Sequence, residues 1–423
     1  MTHVLTRPRL RPRHDGVVPG GPRPRRSVAL LVFVLGVLAA TGPLATDLYL
    51  PAFPQIAADL GAPESRIQLT LTAIMVGMAL GQLVIGPLSD VWGRRVPLLV
   101  GVAVFTLTSF ACALVPSAEA FIVIRFVQGL AGAAGAVISR AIVRDMFDGD
   151  AAARFFSKLA LVTGLAPMLG PVLGGQLLLV GPWQMIFVAL GLSGLVSFVL
   201  VLAALPESLP AGERRALDVS SMVRTFGRQL RDPRFIAPTL TLSLSFGMTF
   251  TYISAFSFVS QNELGATAQQ FSLIFGVNTL GMIIGNQVNV ALIGKVHTSR
   301  RLLGGLVGSL AAIVALVALG MSGHAGLLSV TAILFVMMFF TGFISPNATS
   351  MAISSQSAAD GGSASALLGT LQFAIGGGLA ATAGLTPTGE ASLVSMSLVM
   401  LLTAVASLAL FARAMVRGQA RAV

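Results

Sequence analysis

The sequence predicts an all-α polytopic membrane protein with twelve transmembrane helices in two pseudo-symmetric six-helix halves, and three observations carry that prediction. First, 55% of the 423 residues are hydrophobic and only 10% are charged, with a mean hydropathy of +0.87. A soluble globular chain carries about 25% charged residues, so most of this one has no water-facing surface to populate. Second, apolar segments long enough for a hydrocarbon core, ~20 helical residues each, recur twelve times. Third, one long polar stretch, 206–235, divides them six and six. A soluble enzyme, a single-span receptor and a large extramembrane domain are thereby excluded.

Residues 1–26 are rich in Arg and Pro without apolar periodicity and read as a disordered tail. Arg25-Arg26 flanks the first apolar run as a cytoplasmic stop, with no cleavage-like site behind it. The first bundle, 27–205, holds segments 28–57, 66–88, 96–115, 120–140, 154–180 and 183–205. Segment 28–57 exceeds one span, and Pro51 and Pro54 near its far end predict a kinked or tilted helix. After the linker, the second bundle, 236–413, holds 236–260, 268–294, 302–321, 325–350, 362–386 and 390–412, followed by a tail at 414–423.

The net charge of +11 is an orientation signal. With both termini cytoplasmic, 25 of the 27 basic residues fall on the inside segments, while the opposite side has only Arg66 against Asp59, Glu64, Glu119, Glu263 and Glu390. Such asymmetry is the positive-inside pattern; basic residues dispersed over seven segments do not form a nucleic-acid surface. Cys112 is the one cysteine, and His3, His14, His297 and His324 all lie outside the apolar runs. Disulfide, thiolate-metal and intramembrane metalloprotease chemistry are therefore not expected, and without a G-x-x-x-x-G-K-[ST] loop ATP is not hydrolysed on this chain. Neither an enzyme nor a cofactor or metal is expected.

Two six-helix halves suggest the internal repeat from which transporters build alternately opening states. The sequence offers a test: the chain's two tyrosines, Tyr49 and Tyr252, fall in helices one and seven, each with a phenylalanine four residues on, Phe53 and Phe256. Aromatic belts at membrane interfaces are the alternative source of that match. Asp47 has no acidic counterpart, since Phe250 stands in its place. Asp47 is also the only acid within a span, and Arg125 in the fourth span is the one basic residue left after topology is assigned. A charge at bilayer depth costs ~2.5–3.5 kcal/mol even on lenient scales. Asp47 as proton acceptor, with Arg125 holding its anionic form, is the functional reading; an ion pair fixing helix one to helix four is the structural one.

Four segments carry a resemblance. Gly86-Pro87-Leu88-Ser89-Asp90-Val91-Trp92-Gly93-Arg94-Arg95 resembles the G-x-x-x-D-x-x-G-R-R signature of the major facilitator superfamily. Arg125-Phe126-Val127-Gln128-Gly129 resembles its R-x-x-Q-G motif, whose arginine is associated with proton coupling. The helix-five stretch Gly164 to Gly175, with Pro167, Gly170, Pro171 and Gly174, is similar to the antiporter motif. Asp47-Leu48-Tyr49-Leu50-Pro51-Ala52-Phe53-Pro54 looks like the D-x-Y-L-P-A-x-P segment of bicyclomycin/chloramphenicol-resistance drug exporters. The resemblance covers nearly all of 28–413. It implies the major facilitator fold and a drug:proton antiporter of the bacterial inner membrane, a monomer whose partners are protons, the lipid bilayer and a small hydrophobic substrate, not nucleic acid.

Physical readings stand beside these motifs. Glycines at 86 and 93 permit a tight turn, Asp90 is placed to meet the helix N-terminus at Ser363, and Arg94, with Arg95 beside it, to pair with Asp145. That cluster would latch the cytoplasmic ends of the halves when the outside is open. The second half, Gly294 to Arg301, has the basic residues without an aspartate, so one latch is expected. In 164–175, small residues serve close helix packing as readily as antiport. Candidate substrate contacts are Tyr49, Phe53, Tyr252, Phe256, Asn278, Asn347 and Gln372, whose polar members equally suit interhelical hydrogen bonds. The expected function is proton-coupled efflux of small hydrophobic antibiotics; transport of a metabolite such as an amino acid or sugar is the alternative.

Overall fold

The computed structural model describes residues 28–147, 149–214, 218–357, 360–380, 382 and 390–418. The tail at 1–26, Arg215, the end of the eleventh apolar segment beyond Thr382 and the last five residues lie outside them. Among the described residues there is no β-strand, and eleven helical stretches are long and apolar enough to cross a membrane. The place of the eleventh span is taken by a further helix, Gly361–Ala380, in which six of 20 residues are glycine.

Helices α1 (Val28–Asp47) and α2 (Phe53–Asp59) form the first span, followed by α3 (Glu64–Trp92), α4 (Arg95–Cys112), α5 (Ala118–Met146), α6 (Gly149–Val180) and α7 (Gln184–Ala204). The linker folds partly into α8 (Val219–Arg231). The second half comprises α9 (Pro233–Phe258), continued by a wider turn at Val259–Glu263, then α10 (Ala268–Ala291), α11 (Thr298–Met321), α12 (Leu327–Ser354), α13 (Gly361–Ala380) and α14 (Leu393–Val416). The same pairings occur in each half. α3 packs on α5 as α10 does on α12, α4 on α7 as α11 on α14, and α1 on α6 as α9 on α13. Glycines make the first of these crossings close: a Cβ on Gly129 would collide with the Ile74 carbonyl, and one on Gly285 with the Phe339 carbonyl.

The halves meet through α6 against α10 and α13 against α3. At the arginine-poor end, one apolar core runs across both halves, joining Tyr49, Phe53, Phe121 and Phe187 to Tyr252, Phe256, Phe258 and Phe271. At the arginine-rich end the core is two separate clusters, one around Leu98 and Ile142 in the first half and one around Phe235, Leu302 and Phe411 in the second. Thr72 donates to the Gly377 carbonyl at 2.9 Å and Thr370 to that of Ala79 at 3.3 Å, which extends the joint to mid-span. The molecule is thus closed at one end and divided at the other.

The predicted kink in the first span is a full break. Proline has no N–H to give the carbonyl four residues back, so Pro51 withholds one from Asp47 and Pro54 one from Leu50. The chain passes through a tight turn at Leu50–Ala52 instead. Carbonyls freed within a membrane require other donors. Ser257 Oγ donates to the Leu50 carbonyl at 2.5 Å and Gln261 Nε2 to that of Pro51 at 3.2 Å, both from the opposite half.

Candidate functional site

Asp47 is the last residue of α1, at the break, and is 3% exposed. Its backbone and Cβ lie against α6, where a Cβ on Gly170 would come within 2.8 Å of its own. One carboxylate oxygen, Oδ1, is buried with no hydrogen-bond partner. Three ion pairs occur among the described residues, and none involves Asp47. Arg125, fully buried on α5, reaches the break by another route: Nη2 donates to the Ala45 carbonyl at 2.8 Å, and Nη1 to Gln128 Oε1 at 2.6 Å. The anticipated direct pairing of Arg125 with Asp47 is therefore not made in this conformation. The guanidinium stacks over the Tyr49 ring, 4.1 Å from its centre, where the cation meets the negative face of the ring.

Around this pair the polar groups form a chain. Gln128 Nε2 donates to Ser109 Oγ at 2.7 Å, fixing the amide so that its oxygen faces Arg125. Tyr49 and Thr70 share a hydroxyl hydrogen bond of 3.0 Å, and the Tyr49 ring packs edge-on against Phe53, Phe121 and Phe187. The second half repeats the motif. Tyr252 accepts from Asn278 Nδ2 at 3.0 Å, stacks on Phe275 and lies 5.3 Å from Phe256. Each tyrosine thus bonds to the second span of its own half, which two unrelated interface aromatics have no reason to do.

Of the candidate substrate contacts, Tyr49, Phe53, Tyr252, Phe256 and Asn278 are fully buried in these two clusters. Asn278 retains one unpartnered oxygen, Oδ1. Asn347 lies elsewhere, donating to Asn289 Oδ1 at 2.7 Å beside Arg301. Gln372 on α13 is partly exposed.

At the arginine-rich end, Gly93 turns the chain between α3 and α4 with φ +88°, a conformation side chains disfavour. Arg94 then reaches back to Asp90 and sideways to Asp145 Oδ2 at 2.9 Å. Ser89, bonded to the Gly86 carbonyl, accepts from Arg94 Nη1 at 2.7 Å. Glu207, at the start of the linker, accepts from the backbone N–H groups of Arg94 and Arg95 at 2.8 and 3.1 Å. Ser208 donates to Asp145 at 3.0 Å. The Ser363 hydroxyl is engaged by Gln229 and the Asp360 carbonyl, and the Asp90 side chain is 47% exposed. The expected contact of Asp90 with α13 is thus absent in this state, in which the two cores at that end are apart. In the second half Arg301 is held by neutral acceptors, among them Asn289 Oδ1 at 3.0 Å and Thr298 at 3.2 Å.

A family model described as the Major Facilitator Superfamily matches residues 28–381. The chain belongs to this superfamily. It is 38% identical over 384 residues to an uncharacterized MFS-type transporter, YdgK, of Bacillus subtilis, covering 90% of this chain and 94% of that one. It is 32% identical over 363 residues to a bicyclomycin resistance protein homologue of Haemophilus influenzae, covering 83% and 88%. Its fold resembles the crystal structure of a bacterial homologue of the human lysosomal transporter Spinster, with a TM-score of 0.73 at 16% identity, over 95% of this chain and 100% of that one. The protein is accordingly a multi-pass membrane transporter of small molecules and not an enzyme.

The superfamily motifs take distinct places around the break. A Cβ on Gly174 would collide with the Leu48 carbonyl, and one on Gly175 with Ser272 Oγ of the opposite half. Pro167 and Pro171 lie inside α6, and Gly164 faces open space. Groups outside the candidate list also matter: Ser109 and Thr70 in the buried chain, Ser257 and Gln261 on the break, Glu207 on the latch. Gln128 stands within the R-x-x-Q-G motif; isolated serines and threonines in apolar helices carry no pattern that would single them out.

Proposed function

We propose that the chain exports small hydrophobic drugs of the bicyclomycin or chloramphenicol kind in exchange for protons, by alternating access, in the bacterial inner membrane with both termini cytoplasmic. The observation that carries this reading is Asp47: a buried carboxylate with an unengaged oxygen, at a helix break whose carbonyls are held by both halves. A carboxylate so placed changes protonation with its surroundings, and its surroundings change when the halves part. Arg125 acts through the Ala45 carbonyl, keeping the break in register while Asp47 gains and loses its proton. The arginine-rich end is the cytoplasmic one, so the conformation described is closed outward and open inward. Substrate meets the two tyrosine clusters and Gln372 as they separate. The similarity to a bicyclomycin resistance protein homologue supports the drug class.

The test is drug-driven proton movement in proteoliposomes. Asp47→Asn abolishes coupled proton flux while the protein still inserts and folds; undiminished coupling overturns Asp47 as the carrier. Susceptibility of cells with and without the protein, over chloramphenicol-like, fluoroquinolone and cationic dye panels, tests the substrate class, and an unchanged panel favours a metabolite.

A further inference from the structure

The linker helix α8 has two stripes that transport does not use. Val219, Val223 and Leu230 lie along one side of it at 50%, 59% and 45% exposure. Arg224, Arg228 and Arg231, spaced four and three residues apart, form the adjoining exposed stripe. On the third side the helix is docked to the second half: Gln229 is buried against Asp360 and Ser363, and Arg228 pairs with Asp360 at 2.9 Å. An open cavity of about 570 Å³ is lined by Val223, Arg224, Gly227, Arg228, Arg231 and Asp232. The one carboxylate on its wall is already engaged, since Asp232 accepts from the Arg234 N–H at 2.9 Å and from Gln356 at 2.8 Å. The cavity is therefore a cationic recess beside an apolar ridge.

The helix lies near the start of a span for a covalent reason. Only Asp232 separates α8 from α9, the next span, so α8 is held where that span enters the membrane. An amphipathic helix there, with apolar side chains next to arginines, matches the boundary between acyl chains and phosphates. We propose that α8 is a docking site for anionic phospholipid headgroups, with the phosphate in the recess of Arg224, Arg228 and Arg231 and the acyl boundary against Val219, Val223 and Leu230. Among the described residues Arg224 bonds only to Ser220 within its own helix, which leaves donors for a phosphate. Bound lipid would hold α8, and with it the arginine-rich end of the second half to which it docks, at the membrane surface.

The test uses the full chain with Val219→Cys labelled by bimane, the native Cys112 being buried, in phosphatidylcholine nanodiscs with increasing phosphatidylglycerol. The emission shifts to the blue and saturates with phosphatidylglycerol. Arg224→Gln with Arg231→Gln raises the midpoint about 30-fold. That pair leaves the Arg228–Asp360 and Gln229 contacts that dock α8, and unchanged circular dichroism verifies folding. Equal emission in phosphatidylcholine alone, or a midpoint indifferent to the double variant, overturns the proposal. The same shift from inorganic phosphate in phosphatidylcholine discs overturns the lipid assignment in favour of a free anion.

Discussion

Arg125 is a buried guanidinium whose partners are neutral: an amide oxygen, a backbone carbonyl and an aromatic face. Its planar fork aims Nη1 at Gln128 and Nη2 at Ala45 in one fixed geometry, which a compact lysine ammonium on a flexible stem does not hold. Arg125→Ala removes the charged donor from both buried acceptors and leaves Gln128 Oε1 with only the weak Cys112 thiol, a cost of about 2–3 kcal/mol. The expected outcome is normal membrane insertion, lower thermal stability in detergent and loss of transport; Arg125→Lys also inserts normally and restores part of the stability but not transport. Wild-type transport in either variant counts against its positioning role. The two intramembrane charges were legible in the sequence because a charge among apolar residues stands out wherever it lies. Their failure to pair was not. Whether Arg125 meets a carboxylate or a carbonyl depends on how α1 ends against α5, and no local pattern encodes that.

The first span shows how an element carries function. Two prolines predicted a bend, and the structure turns it into a break at which donors from the other half, Ser257 and Gln261, hold the Leu50 and Pro51 carbonyls. The break also needs a close neighbour. Gly174 lets α6 approach the Leu48 carbonyl, whereas Gly164 in the same motif faces open space. Gly174→Val therefore abolishes transport, and Gly164→Ala leaves rates within about twofold, since Ala also favours the helix by about 1 kcal/mol. Equal effects of both would mean that the motif acts by general flexibility and not by this one contact; initial rates of uptake into everted vesicles distinguish them. The linker helix α8 went unread in the sequence because the 206–235 stretch is polar overall, and the side of it that docks to the second half is set by contacts with Asp360 and Ser363 more than a hundred residues away.

At the scale of the whole molecule the two ends differ in what holds them. Besides the shared aromatic core, the arginine-poor end is closed through Glu64, which accepts from Asn262 at 2.6 Å and from the Ala391 N–H at 2.8 Å, both in the other half. A hydrogen bond to a charged group is worth about 1.5 kcal/mol or more, or about tenfold in population. Glu64→Gln thus shifts the balance about tenfold toward opening at that end. Spin labels at Ala58→Cys and His324→Cys read it as a longer distance population, and an unchanged distribution contradicts the closure. Composition and hydropathy were sufficient for a polytopic helical fold in two halves, because the cost of placing each side chain in hydrocarbon is local and additive along the chain. The single core at one end, the divided core at the other, and the meeting of Asp47, Arg125 and the glycines of α6 at one break arise from contacts between residues far apart in sequence. Their free energy depends on packing in three dimensions, and only the folded molecule expresses it.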